Sequence, residues 1–79
     1  MADYTVDREI DARGSFCPGP MMELMRAIRS AQVGEVIAIL STDQGSRKDI
    51  PAWARKAGHE FLGVETVDGY DRIAVRKRK

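Results

Sequence analysis

At the centre of the chain stands the apolar run Val36-Ile37-Ala38-Ile39-Leu40. The run is too short for a typical helix, and its β-branched residues favour a strand. Because apolar side chains occupy both of its alternating positions, we expect the strand to be buried on both faces of a sheet. The run therefore predicts the central strand of the fold.

The segment before this strand passes from the period of a strand to that of a helix. Residues 4–11 alternate weakly, with Val6 and Ile10 on one face, and predict a half-exposed strand. After a turn at residues 13–15, apolar side chains recur at the helical positions Met21, Leu24, Met25 and Ile28. The spacing predicts a helix that buries these four side chains and ends near Gly34.

A second helix is predicted after the central strand. A polar loop at residues 41–46 comes first, and helical spacing then resumes at Ile50, Trp53, Ala54 and Ala57 until Gly58 closes the segment. Pro51 has no N–H, so we expect it in the first turn with Asp49 or Ser46 as the cap, or else at a kink. Trp53 is interpreted as a core anchor.

The last part of the chain predicts a hairpin. Two β-rich runs, residues 61–67 and 72–76, flank Asp68-Gly69, which is typical of tight turns between antiparallel strands. With right-handed crossovers, the element order predicts an α/β (α+β) fold. We expect a two-layer βαβαββ sandwich, in which a four-stranded mixed sheet carries both helices on one face. No linker or repeat interrupts the pattern, so residues 1–79 are predicted to form a single domain.

Composition excludes several classes of protein. The chain has 79 residues, of which 43% are hydrophobic and 32% charged, with a formal net charge of +1, as expected of a small ordered domain. It has neither a membrane-spanning apolar run nor a signal-peptide pattern, so we expect a cytoplasmic protein with no membrane partner. The single cysteine, Cys17, and the single histidine, His59, exclude an internal disulfide and a typical zinc site.

Cys17 stands immediately before Pro18, where its thiol would occupy the N-cap of the first helix. The unpaired amides of a first turn and the helix dipole favour a thiolate and lower the pKa of a thiol. Pro18 and Pro20 fix the backbone and leave the Gly19 N–H as the free amide that can point at the sulfur. The arrangement indicates an accessible nucleophile.

A simpler interpretation stays open at this point. A cysteine is often a small buried hydrophobe, and prolines are ordinary in a first turn. A cysteine protease is disfavoured, because His59 follows the Gly58 helix stop and has no assigned carboxylate to orient it. The alternative function is a regulatory or RNA-associated binding module in which Cys17 is structural. The net charge of +1 and the few aromatic residues argue against a nucleic-acid binder, although residues 76–79 form a basic tail.

Several short motifs together resemble one known family. They are Asp11-Ala12-Arg13-Gly14, then Cys17-Pro18-Gly19-Pro20 opening a Met-rich helix, then Asp43, and finally Asp49-Ile50-Pro51. This arrangement is similar to the TusA/SirA-type sulfur carriers, and the resemblance covers essentially the whole chain. Cys-Pro-x-Pro is a short motif, and the Gly before it and the Asp-Ile-Pro after it make the match specific.

The resemblance implies a function as well as the βαβαββ fold. A sulfurtransferase-type carrier would hold sulfur on Cys17 as a persulfide, or as a thiosulfonate in relatives that act in sulfur oxidation. The implied partners are a sulfur donor of cysteine desulfurase or rhodanese type and a sulfur acceptor of DsrE type. No dissociable cofactor, metal or direct nucleic-acid contact is expected. The sequence leaves open whether the pathway is tRNA thiolation or sulfur oxidation.

Five further residues are candidates for docking or electrostatic steering. They are Arg13, Phe16, Met22, Arg47 and Lys48. The family fold would bring the basic three near the cysteine, where they could steer an anionic species or an acidic partner, although ordinary solvated charges explain them equally well. Phe16 departs from the basic or polar residue of many relatives and could supply an apolar contact, as could Met22. Asp43 is expected to fix its loop or cap the second helix.

Overall fold

The computed structural model describes residues 4–15 and 19–79. Its elements, in chain order, are β1 (Arg8–Asp11), α1 (Gly19–Ser30), β2 (Val36–Ser41), α2 (Ser46–Ala57), β3 (Glu60–Val67) and β4 (Tyr70–Arg76). The strands form one sheet in the order β1-β2-β4-β3, with β1 parallel to β2 and the other neighbours antiparallel. Both helices pack on one face of the sheet and contact each other. The predicted two-layer sandwich is confirmed.

The inner face of the sheet and the two helices enclose the core. Strands β2 and β4 contribute Ile37, Ile39, Ile73 and Val75, and the helices contribute Leu24, Ile28, Ile50 and Ala54, all of them buried. Trp53 packs against this cluster while remaining partly exposed, which confirms its predicted place. Burial of this apolar surface is the main term that stabilises the fold.

The outer face of β2 is also buried, although no helix covers it. All six residues of β2 are buried, as the apolar run predicts. In the antiparallel register Leu40 lies opposite Arg72 and Val36 opposite Arg76. Arg72 forms ion pairs with Glu9 and Glu65, and Arg76 pairs with Glu60, so charged side chains span this face. The Arg72–Glu9 pair crosses β2 on this face, and the aliphatic stem of such an arginine can lie over apolar side chains while its charged end stays in water.

Strand β1 is shorter than residues 4–11, the range that the alternation predicts. The Asp7 N–H donates to the Val36 carbonyl at 2.9 Å, and the Asp7 carboxylate accepts from the Val36 N–H at 2.8 Å. A side chain thus takes the main-chain amide that a longer strand would have paired. The ladder between β1 and β2 consequently begins only at Arg8.

Helix α1 ends at Ser30, so the prediction of an end near Gly34 is wrong. The Ser30 hydroxyl donates to the Ala27 carbonyl at 3.1 Å, and the Gln32 N–H donates to the Glu35 carboxylate at 2.7 Å, where a continuing helix would use the carbonyl four residues back. Gly34, at a φ of 98°, belongs to the turn that enters β2. Local side-chain hydrogen bonds have ended the helix one turn early.

Helix α2 contains Pro51 in its interior, which corrects the first-turn prediction. The helix begins at Ser46 after an N-cap at Gly45 that makes no side-chain capping bond, so neither Ser46 nor Asp49 is the cap. Pro51 is therefore the sixth residue of the helix and cannot donate to the Arg47 carbonyl. Gly58 closes the helix at a left-handed φ of 84°, as predicted.

The hairpin of β3 and β4 has the predicted antiparallel pairing around Asp68 and Gly69. Gly69 adopts a φ of 84°, which suits a residue without a side chain. The strands are longer than predicted, since β4 begins at Tyr70, which pairs with Val67. This extension brings an aromatic ring to the edge of the sheet where β1 and β2 end.

Candidate functional site

One edge of the sheet gathers the segments around the predicted cysteine site. Strands β1 and β2 are parallel, so their carboxyl ends, Asp11 and Ser41, lie at the same edge, where β4 begins beside Ser41. The amino ends of α1 and α2 follow from these strand ends. Phe16, Cys17 and Pro18 lie outside the described residues, and the site is therefore built from the residues on either side of them.

The residues that flank this segment lie close together. Ser15 is the last residue before it and Gly19 the first residue of α1 after it, and a Cβ built on Gly19 would lie 3.2 Å from the Ser15 Cβ. Pro20 is fully buried and anchors the first turn of the helix. That turn carries no acidic side chain, so its amides present their positive end without a neighbouring carboxylate.

Arg13 lies at this edge, as predicted, but it is not a free cation. Its Nε donates to Asp11 Oδ1 at 2.9 Å, and its Nη2 donates to Asp11 Oδ2 at 2.8 Å. These hydrogen bonds lower the pKa of the Asp11 carboxyl to about 2, and Asp11 in turn raises the pKa of Arg13. The Arg13 guanidinium also lies over the ring of Tyr70, with 4.9 Å between its Cζ and the ring centroid.

Arg47 is likewise at this edge and likewise paired. Its Nε lies 3.2 Å from Asp71 Oδ2, and its Nη2 donates to the Thr66 hydroxyl at 3.3 Å. The Thr66 hydroxyl donates to the other carboxylate oxygen of Asp71, which is only 8% exposed. Arg47 therefore compensates the charge of a buried carboxylate, so less of its own charge is available to attract a partner. Lys48, at the next position of α2, is exposed.

Asp43 fixes the loop between β2 and α2, which is the first of its two predicted roles. Its carboxylate accepts from the Ser46 hydroxyl at 3.2 Å, and its N–H donates to the Ser41 hydroxyl at 3.0 Å. Ser41 and Ser46 are both fully buried, so these contacts satisfy hydroxyl groups that have left water. The cap position itself belongs to Gly45.

The exposed side of α1 carries Met22, which is 52% exposed. This agrees with its position outside the helical pattern of apolar residues that begins at Met21. Met25 was expected in the core, but it is only partly buried and lines a shallow groove with Met22, Arg26 and Arg29. The buried stripe of α1 is narrower than the sequence pattern, since Leu24 and Ile28 are buried with Pro20, while Met21 and Ala27 are only partly buried against the core. An apolar surface with basic residues beside it thus runs along α1.

His59 lies at the far end of the molecule from this edge. It follows the carboxyl end of α2, and its Nδ1 accepts the Arg78 N–H at 3.1 Å. Burial, with the charges of Lys77 and Lys79, lowers its pKa. His59 is therefore separated from the edge that precedes Cys17, and its Nδ1 is occupied by a main-chain hydrogen bond.

The described residues contain no cluster of three or more His, Cys, Asp or Glu side chains arranged for a metal ion. Among the same residues, neither helix is long and apolar enough to cross a membrane. The geometry at the edge is therefore that of a surface site with paired charges, an exposed methionine and the amino ends of two helices.

Comparison with known proteins gives the family. The family model described as sulfurtransferase TusA matches residues 8–77. The chain belongs to this family. A candidate sulfur carrier protein of Archaeoglobus fulgidus is 51% identical over 70 residues, which cover 89% of this chain and 96% of the relative. The sulfur carrier protein TusA of Pseudomonas syringae is 36% identical over 76 residues, which cover 96% of this chain and 90% of that protein.

A solved structure has the same fold. The SirA-like protein of Desulfitobacterium hafniense superposes with a TM-score of 0.78, covering 91% of this chain and 99% of its own, at 23% sequence identity. The predicted resemblance to the TusA/SirA-type family is thus confirmed for both the sequence and the fold.

Two residues of the edge were missed by sequence reasoning. Thr42 accepts a hydrogen bond from the Gly14 N–H at 3.0 Å, and Tyr70 stacks under Arg13. No motif marks either residue, because each acts through a partner at least 28 positions away in the sequence. Only the strand order places them next to the loop that leads to Cys17.

Proposed function

We propose that this TusA family member is a sulfur carrier in which Cys17 accepts a sulfane sulfur and passes it to a second protein. The observation that carries the proposal is the close approach of Ser15 and Gly19 at the amino end of α1. Both described flanks of the segment that contains Cys17 thus lie near the amino end of a helix, which supports the proposal because such an end is suited to an anion. The names of the relatives support the same role.

The transfer is an exchange between sulfur atoms. The Cys17 thiolate attacks the terminal sulfur of a donor persulfide, a new S–S bond forms on Cys17, and the old S–S bond breaks to release the donor thiolate. The acceptor thiolate then removes the terminal sulfur in the same way. No net oxidation occurs, so the step needs no dissociable cofactor or metal. The cytoplasm remains the expected location of the protein.

The residues around Cys17 are assigned supporting roles in this proposal. Pro18 and Pro20 keep the segment stiff, and the burial of Pro20 agrees with an anchoring role. The Gly19 N–H is proposed to donate to the carried sulfur. The negative charge of that sulfur would also be favoured because the first turn of α1 has no acidic side chain. A thiosulfonate on Cys17 would carry the same negative charge as a persulfide anion and would suit the same helix end.

Partner proteins are proposed to dock beside this end of α1. Met22 offers an exposed apolar contact, and an adaptable thioether suits a carrier that meets both a donor and an acceptor. We propose that Phe16 adds a second apolar contact and that Lys48 contributes steering. The proposed donor is a cysteine desulfurase or rhodanese-type protein, and the proposed acceptor is a DsrE-type protein.

The alternative of an RNA-associated module is not favoured by the contacts of the basic tail. The Lys77 ammonium donates to the Ala31 carbonyl at 2.8 Å, and Arg76 and Arg78 both pair with Glu60. The Lys79 side chain packs over Gly58. These cations serve the fold, whereas a nucleic-acid binder needs them free to reach phosphates.

The proposal is tested by intact-protein mass spectrometry. The wild type and Cys17→Ser are incubated with a cysteine desulfurase plus cysteine, and separately with thiosulfate or polysulfide. We expect the wild type to gain one sulfur atom, released by reductant, and Cys17→Ser to gain none while keeping the same circular dichroism spectrum. A larger adduct on Cys17, with the added mass of a thiosulfonate group, would identify the thiosulfonate as the cargo. Absence of any adduct, with Cys17 inert to alkylation, would reject the carrier role.

A further inference from the structure

The loop that leads to Cys17 is tied to three strands at once. Asp11 at the end of β1 binds the Arg13 side chain, Thr42 after β2 accepts the Gly14 N–H, and Tyr70 at the start of β4 lies under the Arg13 guanidinium. These five residues are called the loop tether below. The contacts of Thr42 and Tyr70 join residues separated by 28 and 57 positions in the chain, so these two contacts exist only in the folded state, whereas the Asp11–Arg13 pair is local.

The tether controls the direction in which the loop leaves the sheet. The Arg13 N–H donates to Asp11 Oδ1 at 3.1 Å, so the main chain as well as the side chain of Arg13 is fixed to β1. The Gly14 N–H donates to the Thr42 hydroxyl, and the φ of 88° at Gly14 is a conformation that other residues adopt only with strain. The Ser15 N–H then bonds back to the Ala12 carbonyl at 3.1 Å, which closes the turn.

Because Ser15 lies close to Gly19, a loop displaced at Arg13 or Gly14 would move one flank of the Cys17 segment relative to α1. We propose that Tyr70 and Thr42 are positioning residues, which act through Arg13 and Gly14 to fix the Ser15 flank of the Cys17 segment beside the amino end of α1. This inference rests on the proposed function for its purpose, since a sulfur carrier gains from a preorganised nucleophile. Its geometry is independent of that function.

Tyr70 is the informative member of the tether because its substitution changes no charge. Loss of Arg13 would alter both the geometry and the electrostatic field around the cysteine, and the two effects could not be separated. In Tyr70→Leu the ring face is lost, whereas Tyr70→Phe retains a face for the guanidinium and loses only the hydroxyl. Thr42→Val removes the acceptor for Gly14 at nearly constant shape.

The experiment is the pH profile of Cys17 alkylation by iodoacetamide in the intact chain. In Tyr70→Leu and Thr42→Val we expect the profile to move to higher pH, with a rate near pH 7 about tenfold lower, as for a thiol pKa raised by about one unit. The rates should converge at alkaline pH, where every variant is a thiolate. Tyr70→Phe should restore the wild-type profile. Arg78→Ala, which removes an ion pair to Glu60 at the other end of the sheet, is the matched control and should leave it unchanged.

Circular dichroism checks that each variant is folded, and Thr42→Val decides the question if Tyr70→Leu does not fold. A profile identical to the wild type in the folded variants would overturn the inference. Sulfur loading from polysulfide is measured in the same samples. Failure of the wild type to load would contradict the carrier function, while the alkylation profile would still decide whether the tether positions the thiol.

Discussion

The ammonium group of Lys77 donates a hydrogen bond to the Ala31 carbonyl at 2.8 Å. This contact joins the end of the chain to the carboxyl end of α1, where unpaired carbonyls favour a cation. The Gly34 N–H donates to the Lys77 carbonyl at 2.7 Å beside it. The basic tail therefore packs against the end of the fold that lies opposite the carboxyl ends of β1 and β2. The charge of Lys77 takes part in this contact.

Replacement of Lys77 by Met should therefore lower the free energy of unfolding by ~1 kcal/mol, because the apolar stem is kept while the charge-assisted hydrogen bond to a helix end is lost. Urea denaturation measures the change. Lys48→Met is the matched control, since Lys48 is exposed in the first turn of α2, where a cation gains nothing from the helix dipole. Equal losses in both variants would contradict the capping role of Lys77.

The pairing of Asp11 with Arg13 predicts a dependence of stability on acid pH. Hydrogen bonds from Arg13 lower the pKa of folded Asp11 to about 2, whereas an unfolded Asp titrates near ~3.9. The pair therefore adds stability above the unfolded pKa and loses it as the pH falls through the folded one. The pH-dependent part of the difference in unfolding free energy between wild type and Asp11→Asn should be constant above about pH 5 and decline progressively below it, until it is lost at a pH below the folded pKa. NMR titration of the Asp11 carboxyl checks the midpoint directly, and a midpoint near that of the unfolded chain would refute the prediction.

Gly14→Ala should affect both stability and the cysteine. Gly14 has a φ of 88° with no atom near the position of an added Cβ, so the cost is that of backbone strain, about 1 kcal/mol. Gly34→Ala is the matched control, because Gly34 has a φ of 98° and equally open space, but lies at the other end of the molecule. Urea denaturation should give similar losses in the two variants, whereas only Gly14→Ala should change the alkylation rate of Cys17. Equal alkylation rates in the Gly14→Ala and Gly34→Ala variants would show that the conformation of the loop at Gly14 does not affect the Cys17 thiol.

Met22→Ser should slow sulfur transfer from a protein donor by roughly tenfold, because an exposed apolar contact at an interface is lost. Loading from polysulfide, which requires no docking, should be unchanged. Val33→Ser is the control, since Val33 is, among the described residues, the other large hydrophobic residue that is strongly exposed, at 65%, and it lies in the turn after α1. A Met22→Ser protein that loads normally from the donor would remove Met22 from the docking surface.

Local patterns in the sequence predicted most of the fold. The run at residues 36–40 gave the buried strand because both of its faces are apolar, and Gly58 and Gly69 marked a helix end and a turn because few other residues adopt their positive φ. Element boundaries were less predictable. Ser30 and Asp7 ended α1 and β1 through side-chain hydrogen bonds that compete with the main-chain ladder, and Pro51 proved to be tolerated inside a helix that is held by packing of Ile50 and Ala54.

For the site, the sequence by itself determined the candidate nucleophile and the family, because Cys17 and its prolines are adjacent in the chain and need no partner to be recognised. The tertiary structure decided what surrounds that segment. Strand order alone brings Thr42 and Tyr70 to the loop before Cys17, and it pairs Arg13 and Arg47 with carboxylates that reduce their availability as free charges. Such contacts depend on strand register and on side-chain direction, and these are fixed only when the core packs and both faces of β2 are buried.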